Sequence, residues 1–231
     1  MNILAFDTCL DACSAAVFSD GGEGVRACAF EPMATGQAER LIPMISEVVD
    51  TAGLTFEDVD RIAVTVGPGT FTGTRIAIAA ARALALAMNV PVVTATSLAV
   101  VAQQVARHLN NMPDVAAIAV AADARRGQVY WQRFSRGGGL AALCEPQVLT
   151  PEEAASQATE GIYALAGSAA DAVARHAPAK YRVFASIELP RAEDLAAMAP
   201  HILPAGSPNP LYLRPADAKP QVGKSIARVT I

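Results

Sequence analysis

The chain has 231 residues, 52% hydrophobic and 17% charged, a balance that excludes a disordered protein and suits one large domain or two small lobes. Its 18 basic and 22 acidic side chains leave a net charge of −4, which excludes a free-standing nucleic-acid binder, because such binding runs on phosphate neutralisation. The four cysteines, Cys9, Cys13, Cys28 and Cys144, form neither CxxC pairs nor a dense disulfide framework.

Three short strands are expected at 2–8, 13–19 and 25–31, joined by turn residues at Leu10-Asp11-Ala12 and Asp20-Gly21-Gly22. No secretory leader is expected, because MNILAFDT lacks a basic start and Asp7 stands where an apolar segment would be. A helix follows over 36–52. Its Leu41, Ile42, Ile45, Val48 and Val49 recur at helical spacing, and Gly53 ends it. Next come a strand (61–66), the turn GPGTFTG (67–73), an alanine-rich helix (72–88), a strand (91–96) and a helix (97–108). The apolar run 76–101 is broken by Arg82, Asn89 and Pro91, so no membrane span is expected.

The second half repeats this order. Strands at 116–123, 127–135 and 142–149 precede a helix opening at Thr150-Pro151-Glu152-Glu153, an N-cap with proline in the first turn. A strand (162–167), a helix (171–177), a strand (182–186) and a helix (191–201) follow. Both halves read β-β-β-α-β-α-β-α, which predicts two α/β lobes with a cleft between them. The lobes are expected at 1–110 and 111–231, parted by the polar linker Asn110-Asn111-Met112-Pro113. The proline-rich stretch 204–220 reads as extended and surface-bound. Residues 211–231 carry Arg214, Lys219, Lys224 and Arg228 against Asp217, which is +3 and leaves −7 for the rest. That tail reads either as a patch for RNA phosphates or an acidic partner, or as a solvated tail. Lys224 and Arg228 are its freer members, and Arg214 is the one held by neighbours.

Each half ends its first strand with an aspartate, Asp7 and Asp123. Paired loops of this kind, facing across a cleft, hold a nucleotide's phosphates and metal in the actin, sugar-kinase and Hsp70 class. Asp7, Thr8, Gly69, Thr70 and Asp123 are therefore the cofactor-binding candidates, although aspartate is equally at home starting a turn. GPGTFTG can cradle an anion at a helix N-terminus, but it has neither the GxGxxG nor the GK[ST] pattern, and a tight turn explains it equally well. No metal site is expected, since His108, His176 and His201 each stand alone on a different helix. There is no GxSxG elbow, and the cysteines beside apolar strands read as inert buried thiols. The residues offer no complete catalytic constellation. They offer instead a helix, 72–88, that is apolar almost all round apart from Arg75 and Arg82, and so must be covered on more than one face. The first helix also has a broad apolar face. The expected partner interface is Leu41, Met44, Ile45, Val48, Arg75, Ile76, Ala79 and Ala83; deep burial within one lobe is the competing reading.

The blocks GPGTFTGTRIAIAAARALA, FDT near the start, DARRGQVYW in the middle and PLYLRPADAKP towards the end closely resemble the YeaZ/TsaB family, collinearly over nearly the whole chain. The resemblance implies an actin-like fold, related to the Hsp70-like and sugar-kinase-like ones. It also implies a cytoplasmic, non-catalytic dimerisation subunit of the bacterial machinery that makes threonylcarbamoyladenosine beside the tRNA anticodon. Such a subunit is implied to pair, through helices 36–52 and 72–88, with a metal-bearing threonylcarbamoyltransferase subunit. A small ATPase joins them, tRNA is met indirectly, and the chain alone forms a homodimer. The related catalytic subunit carries a metal-binding HxxxH on its first helix. Here GQAERLIPM places Gln37 and Leu41 at those positions, so the metal is implied to be lost. The family's adenosine loop is reduced to Gly167 in LAGSAADAV, which weighs against independent nucleotide binding and leaves a nucleotide only at a complex interface. The alternative is an ATP-dependent small-molecule phosphotransferase using Asp7 and Asp123. A metallopeptidase, suggested by the old glycoprotease name, lacks its ligands.

Overall fold

The computed structural model describes residues 1–214 apart from 138 and 205. The apolar runs near the start fold into an antiparallel meander of β1 (Asn2–Asp7), β2 (Ala12–Ser19) and β3 (Gly24–Pro32). The chain continues through α1 (Gln37–Thr51), β4 (Arg61–Thr65), α2 (Phe71–Met88), β5 (Val92–Ala95) and α3 (Ser97–Ala106). β4 pairs parallel to β1, and β5 parallel to β4, giving the order β3-β2-β1-β4-β5. The second half forms β6 (Val115–Asp123), β7 (Val129–Ser135), β8 (Gln147–Leu149), α4 (Pro151–Ser156), β9 (Ile162–Ala166), α5 (Ala170–Ala174), β10 (Tyr181–Val183) and α6 (Ala192–Met198). Its sheet, β10-β9-β6-β7-β8, repeats the first in strand order and in strand direction. The two-lobed α/β fold with duplicated topology is therefore present.

Local chemistry sets the helix starts. The Thr70 and Thr96 hydroxyls accept from the N–H groups of Gly73 and Ala99, capping α2 and α3, and Thr150 with Glu153 forms a capping box on α4. Some elements are shorter than the sequence suggests. β8 covers only 147–149, because Pro146 has no N–H for the ladder, and upstream only Ala142 makes an isolated bridge to Phe134.

Each sheet lies on its own side of residue 110, but the helices do not keep to that division. Leu98, Val101, Ala102 and Val105 of α3 pack into the core of the second sheet with Ile118, Val120 and Ala164. In return, Ala192, Leu195, Ala196 and Ala199 cover the first sheet at Ile3, Ala5, Ala16 and Ala63. The chain then runs back along α2. The Leu211 N–H donates to the Val66 carbonyl at 2.7 Å, and Arg214 donates to the Ala124 carbonyl at 2.7 Å and to the Gln128 side chain. Arg214 is thus a structural tie. Lys219, Lys224 and Arg228, the rest of the expected basic patch, lie outside the described residues. α2 is the one helix among the described residues that is long and apolar enough to cross a bilayer. Its inner side packs on the first sheet through Ala77 and Ala81.

Because α6 covers the first sheet, truncating Leu195, which is wholly buried, is expected to cost about 2–5 kcal/mol in a denaturant titration of the Leu195→Ala chain. For the same reason, residues 1–110 made alone should fail to show a cooperative unfolding transition.

Candidate functional site

The cleft between the lobes starts from two glycines. A Cβ on Gly69 would lie 2.0 Å from the Cys9 carbonyl oxygen, and one on Gly73 would lie 2.0 Å from that of Thr8. No side chain fits at such distances, so the loop lies directly on the end of β1. The Thr70 N–H donates to the Cys9 carbonyl at 2.7 Å, and the Thr8 hydroxyl donates to the Gly73 carbonyl at 2.7 Å. The glycines of GPGTFTG serve close packing of α2 on β1.

This packing separates the five cofactor-binding candidates. Gly69, Thr70 and Asp123 line a small cleft of about 80 Å³, with Asp11, Arg125, Tyr130 and Ser168. Thr8 is buried and spent on Gly73. Asp7 is buried too, accepting from the Thr65 hydroxyl and from the Cys9 N–H, and it does not line the cleft. Its place as a partner of Asp123 is instead taken by Asp11. The Arg125 guanidinium reaches Asp11 at 3.0 Å and Asp123 at 3.4 Å, crossing from one lobe to the other. Sequence reasoning missed Asp11 and Arg125, though Asp11 in the first turn and the ARRG turn were both visible.

Burial raises the Asp7 carboxyl from 3.8 to about 6, against the lowering effect of its hydrogen bonds to Thr65 and Cys9. Burial also pushes the Cys9 thiol far up and Cys13 up to about 12, so both remain thiols. The donors of the described residues do not fit a metal. Among the described residues no three His, Cys, Asp or Glu side chains gather, the Gln37 amide donates to the Met33 carbonyl at 3.0 Å, and Leu41 lies in the core.

The expected partner interface needs correction. Leu41, Met44, Ile45 and Val48 are buried in the core of the first lobe with Leu4, Phe6 and Val17. Their stripe is the sheet-facing side of α1, and one apolar stripe is consumed by one sheet. Ile76 is half-buried against the same core. Arg75, Ala79 and Ala83 are exposed on α2. Sequence reasoning missed Phe71, 48% exposed, and Leu86, 85% exposed, on the same face, together with Ile42 on α1 at 49%. Tyr212 joins them from the returning chain. Its ring stacks on Phe71 at 5.4 Å, with the Arg75 guanidinium 3.6 Å from the Phe71 centroid. Spacing along α2 placed Phe71 within reach, but nothing local points to Tyr212.

The raised Asp7 carboxyl gives a pH prediction. It binds its proton more tightly folded than unfolded, so its contribution to stability is complete below about 4 and is lost as pH rises through about 6. Asp7→Asn removes that slope. Relative to the parent, the variant should gain up to about 3 kcal/mol between pH 4 and pH 7, read by denaturant unfolding; a constant difference across that range would exclude a titrating Asp7.

Comparison with known proteins agrees with this architecture. A family model described as TsaD, tRNA N6-adenosine threonylcarbamoyltransferase, matches residues 31–201. The chain is similar to the TsaB protein of Escherichia coli, 31% identical over 156 residues, which is 64% of each protein. It is similar also to that of Haemophilus influenzae, 30% identical over 68% of this chain and 67% of the relative. The match to the E. coli relative thus spans just under two thirds of that protein's length. Among solved structures, YeaZ from Pseudomonas aeruginosa is 32% identical with a TM-score of 0.77, covering 92% of this chain and 99% of its own. A second Pseudomonas aeruginosa structure, of a protein with similarity to peptidase YEAZ, covers the same shares at a TM-score of 0.79. On matches that extend over most of both chains, this protein belongs to the YeaZ/TsaB family.

Proposed function

We propose that the chain is a docking subunit in threonylcarbamoyladenosine biosynthesis, one that supports transfer to tRNA without performing it. The observation that carries this reading is the outer face of α2. Phe71, Arg75, Ala79, Ala83 and Leu86 form one exposed stripe along the whole helix. Alanines allow a second helix to approach closely, and an apolar stripe of this length marks an interaction surface. The names of the TsaB relatives support the pathway. The partner is a metal-bearing threonylcarbamoyltransferase subunit seated on α2 and on the Ile42 side of α1. A small ATPase joins the pair, and tRNA is met through the assembly. Alone, the chain pairs with itself through the same face, in the cytoplasm.

The phosphotransferase alternative gains no support. Asp7 is buried away from the cleft, Asp123 faces Arg125, and about 80 Å³ is far below the several hundred Å³ that ligand pockets offer. Titrating the isolated chain with ATP and Mg²⁺ is expected to give no saturable heat, and a stoichiometric isotherm would restore that alternative. The docking reading is tested at Ala83, which is exposed, so Ala83→Glu leaves the fold intact. A carboxylate buried there by a partner costs several kcal/mol. Sedimentation of the variant should therefore show monomer, and its affinity for the transferase subunit should fall at least tenfold. An unchanged affinity would place docking elsewhere.

A further inference from the structure

The outer face of α2 carries charge as well as apolar surface. α2, with the sequence FTGTRIAIAAARALALAM, holds two arginines and no acid. On the first lobe Arg40 is neutralised by Glu31 and Glu47, and at the cleft Arg125 is neutralised by Asp11 and Asp123. Among the described residues no carboxylate lies within 4.0 Å of Arg75 or Arg82. Neutral groups of the returning chain hold both. The Arg75 Nε–H donates to the Tyr212 hydroxyl at 2.6 Å, leaving its Nη donors unspent. Arg82 donates from Nε and Nη2 to the Pro208 carbonyl, the shorter contact 2.6 Å, and from Nη2 to the Asn209 side chain at 3.0 Å, leaving Nη1.

Among the described residues the two guanidiniums are thus fixed in place but not neutralised. They stand seven residues apart, about 10 Å along the helix axis, on either side of Ala79. Aromatic residues and arginine are the types that anchor interfaces, and here Phe71, Tyr212 and Arg75 are already packed together before any partner arrives.

We propose that residues 207–214 form part of the docking surface, and that the occupant is a helix of the transferase subunit with two carboxylates seven residues apart, facing Arg75 and Arg82 across a small residue. This inference rests on the docking reading above and adds the recognition chemistry to it. Charge complementarity chooses the occupant: a wholly apolar helix would bury two cations without partners, which is costly, whereas paired carboxylates form charge-assisted bonds, bidentate with the two Nη groups of Arg75 and single with Nη1 of Arg82. The continuous alanine and leucine surface beyond Arg75 favours a protein helix over the phosphates of an RNA.

The test uses the full chain with Arg75→Glu and Arg82→Glu together, against the transferase subunit and, separately, against tRNA. Affinity of the parent chain for the transferase should fall with rising salt. The double variant should lose more than tenfold in that affinity and lose the salt dependence, while Tyr212→Phe, which keeps the ring but frees Arg75, should lose less. If the glutamate pair does not fold, Arg75→Gln combined with Arg82→Gln removes the charge alone and gives the same reading. Unchanged transferase affinity overturns the inference. In that case loss of binding in Ala83→Glu shows that the docking reading itself stands, and retention there shows that both fail. Weakened tRNA binding with transferase binding intact would assign the arginines to RNA and overturn the proposal.

Discussion

The structure depends on one close approach, that of the Gly69 and Gly73 backbone to the carbonyls of Cys9 and Thr8. Any side chain at either glycine would collide with β1, since a Cβ there would meet a carbonyl oxygen at 2.0 Å. The approach seats the start of α2 on the end of β1 and seals Asp7 and Thr8 beneath it. A loop that lies so tightly on its own strand has little room for a ligand between them. The cleft that remains is small, and Arg125 crosses it between Asp11 and Asp123. Exposed ion pairs of this kind contribute little stability; their consequence here is that both aspartates lining the cleft, Asp11 and Asp123, already face a cation.

The same seating determines what α2 shows to solvent. With Thr74, Ala77, Ile78 and Ala81 turned inward, the opposite side of an almost wholly apolar helix has no element of its own lobe to cover it. The returning chain, residues 207–214, covers only an edge. It ties Arg75, Arg82 and the Val66 carbonyl together and anchors itself at Ala124 through Arg214. Cleft and outer face are therefore linked through one segment. The exchange of α3 and α6 between the sheets joins the lobes further, since each sheet is completed by a helix that the other half of the chain supplies.

Much of this was legible in the residues. Short apolar runs, helical spacing, turn residues and the Thr150 cap mark the elements of both halves in order, because those signals act over a few neighbouring residues. The site was legible only in part. Gly69, Thr70 and Asp123 do line the cleft, whereas Asp7, in the same kind of position as Asp123, does not, because burial depends on what packs above a strand end. On α1, the spacing of Leu41, Met44, Ile45 and Val48 fits a docking face as well as the core face they form. An apolar stripe has the same spacing whether a sheet or another protein covers it.

By itself, the sequence determined the duplicated β-β-β-α-β-α-β-α order, the absence of clustered histidine ligands and an α2 too apolar for one covering face, since each of these is a matter of residue type and local spacing. Only the tertiary structure decided which apolar faces are core, that Asp7 is held up to about 6 by burial, and that Tyr212 meets Phe71 and Arg75. Those are contacts between residues far apart in the chain, and local periodicity carries no information about which distant segment arrives to make them.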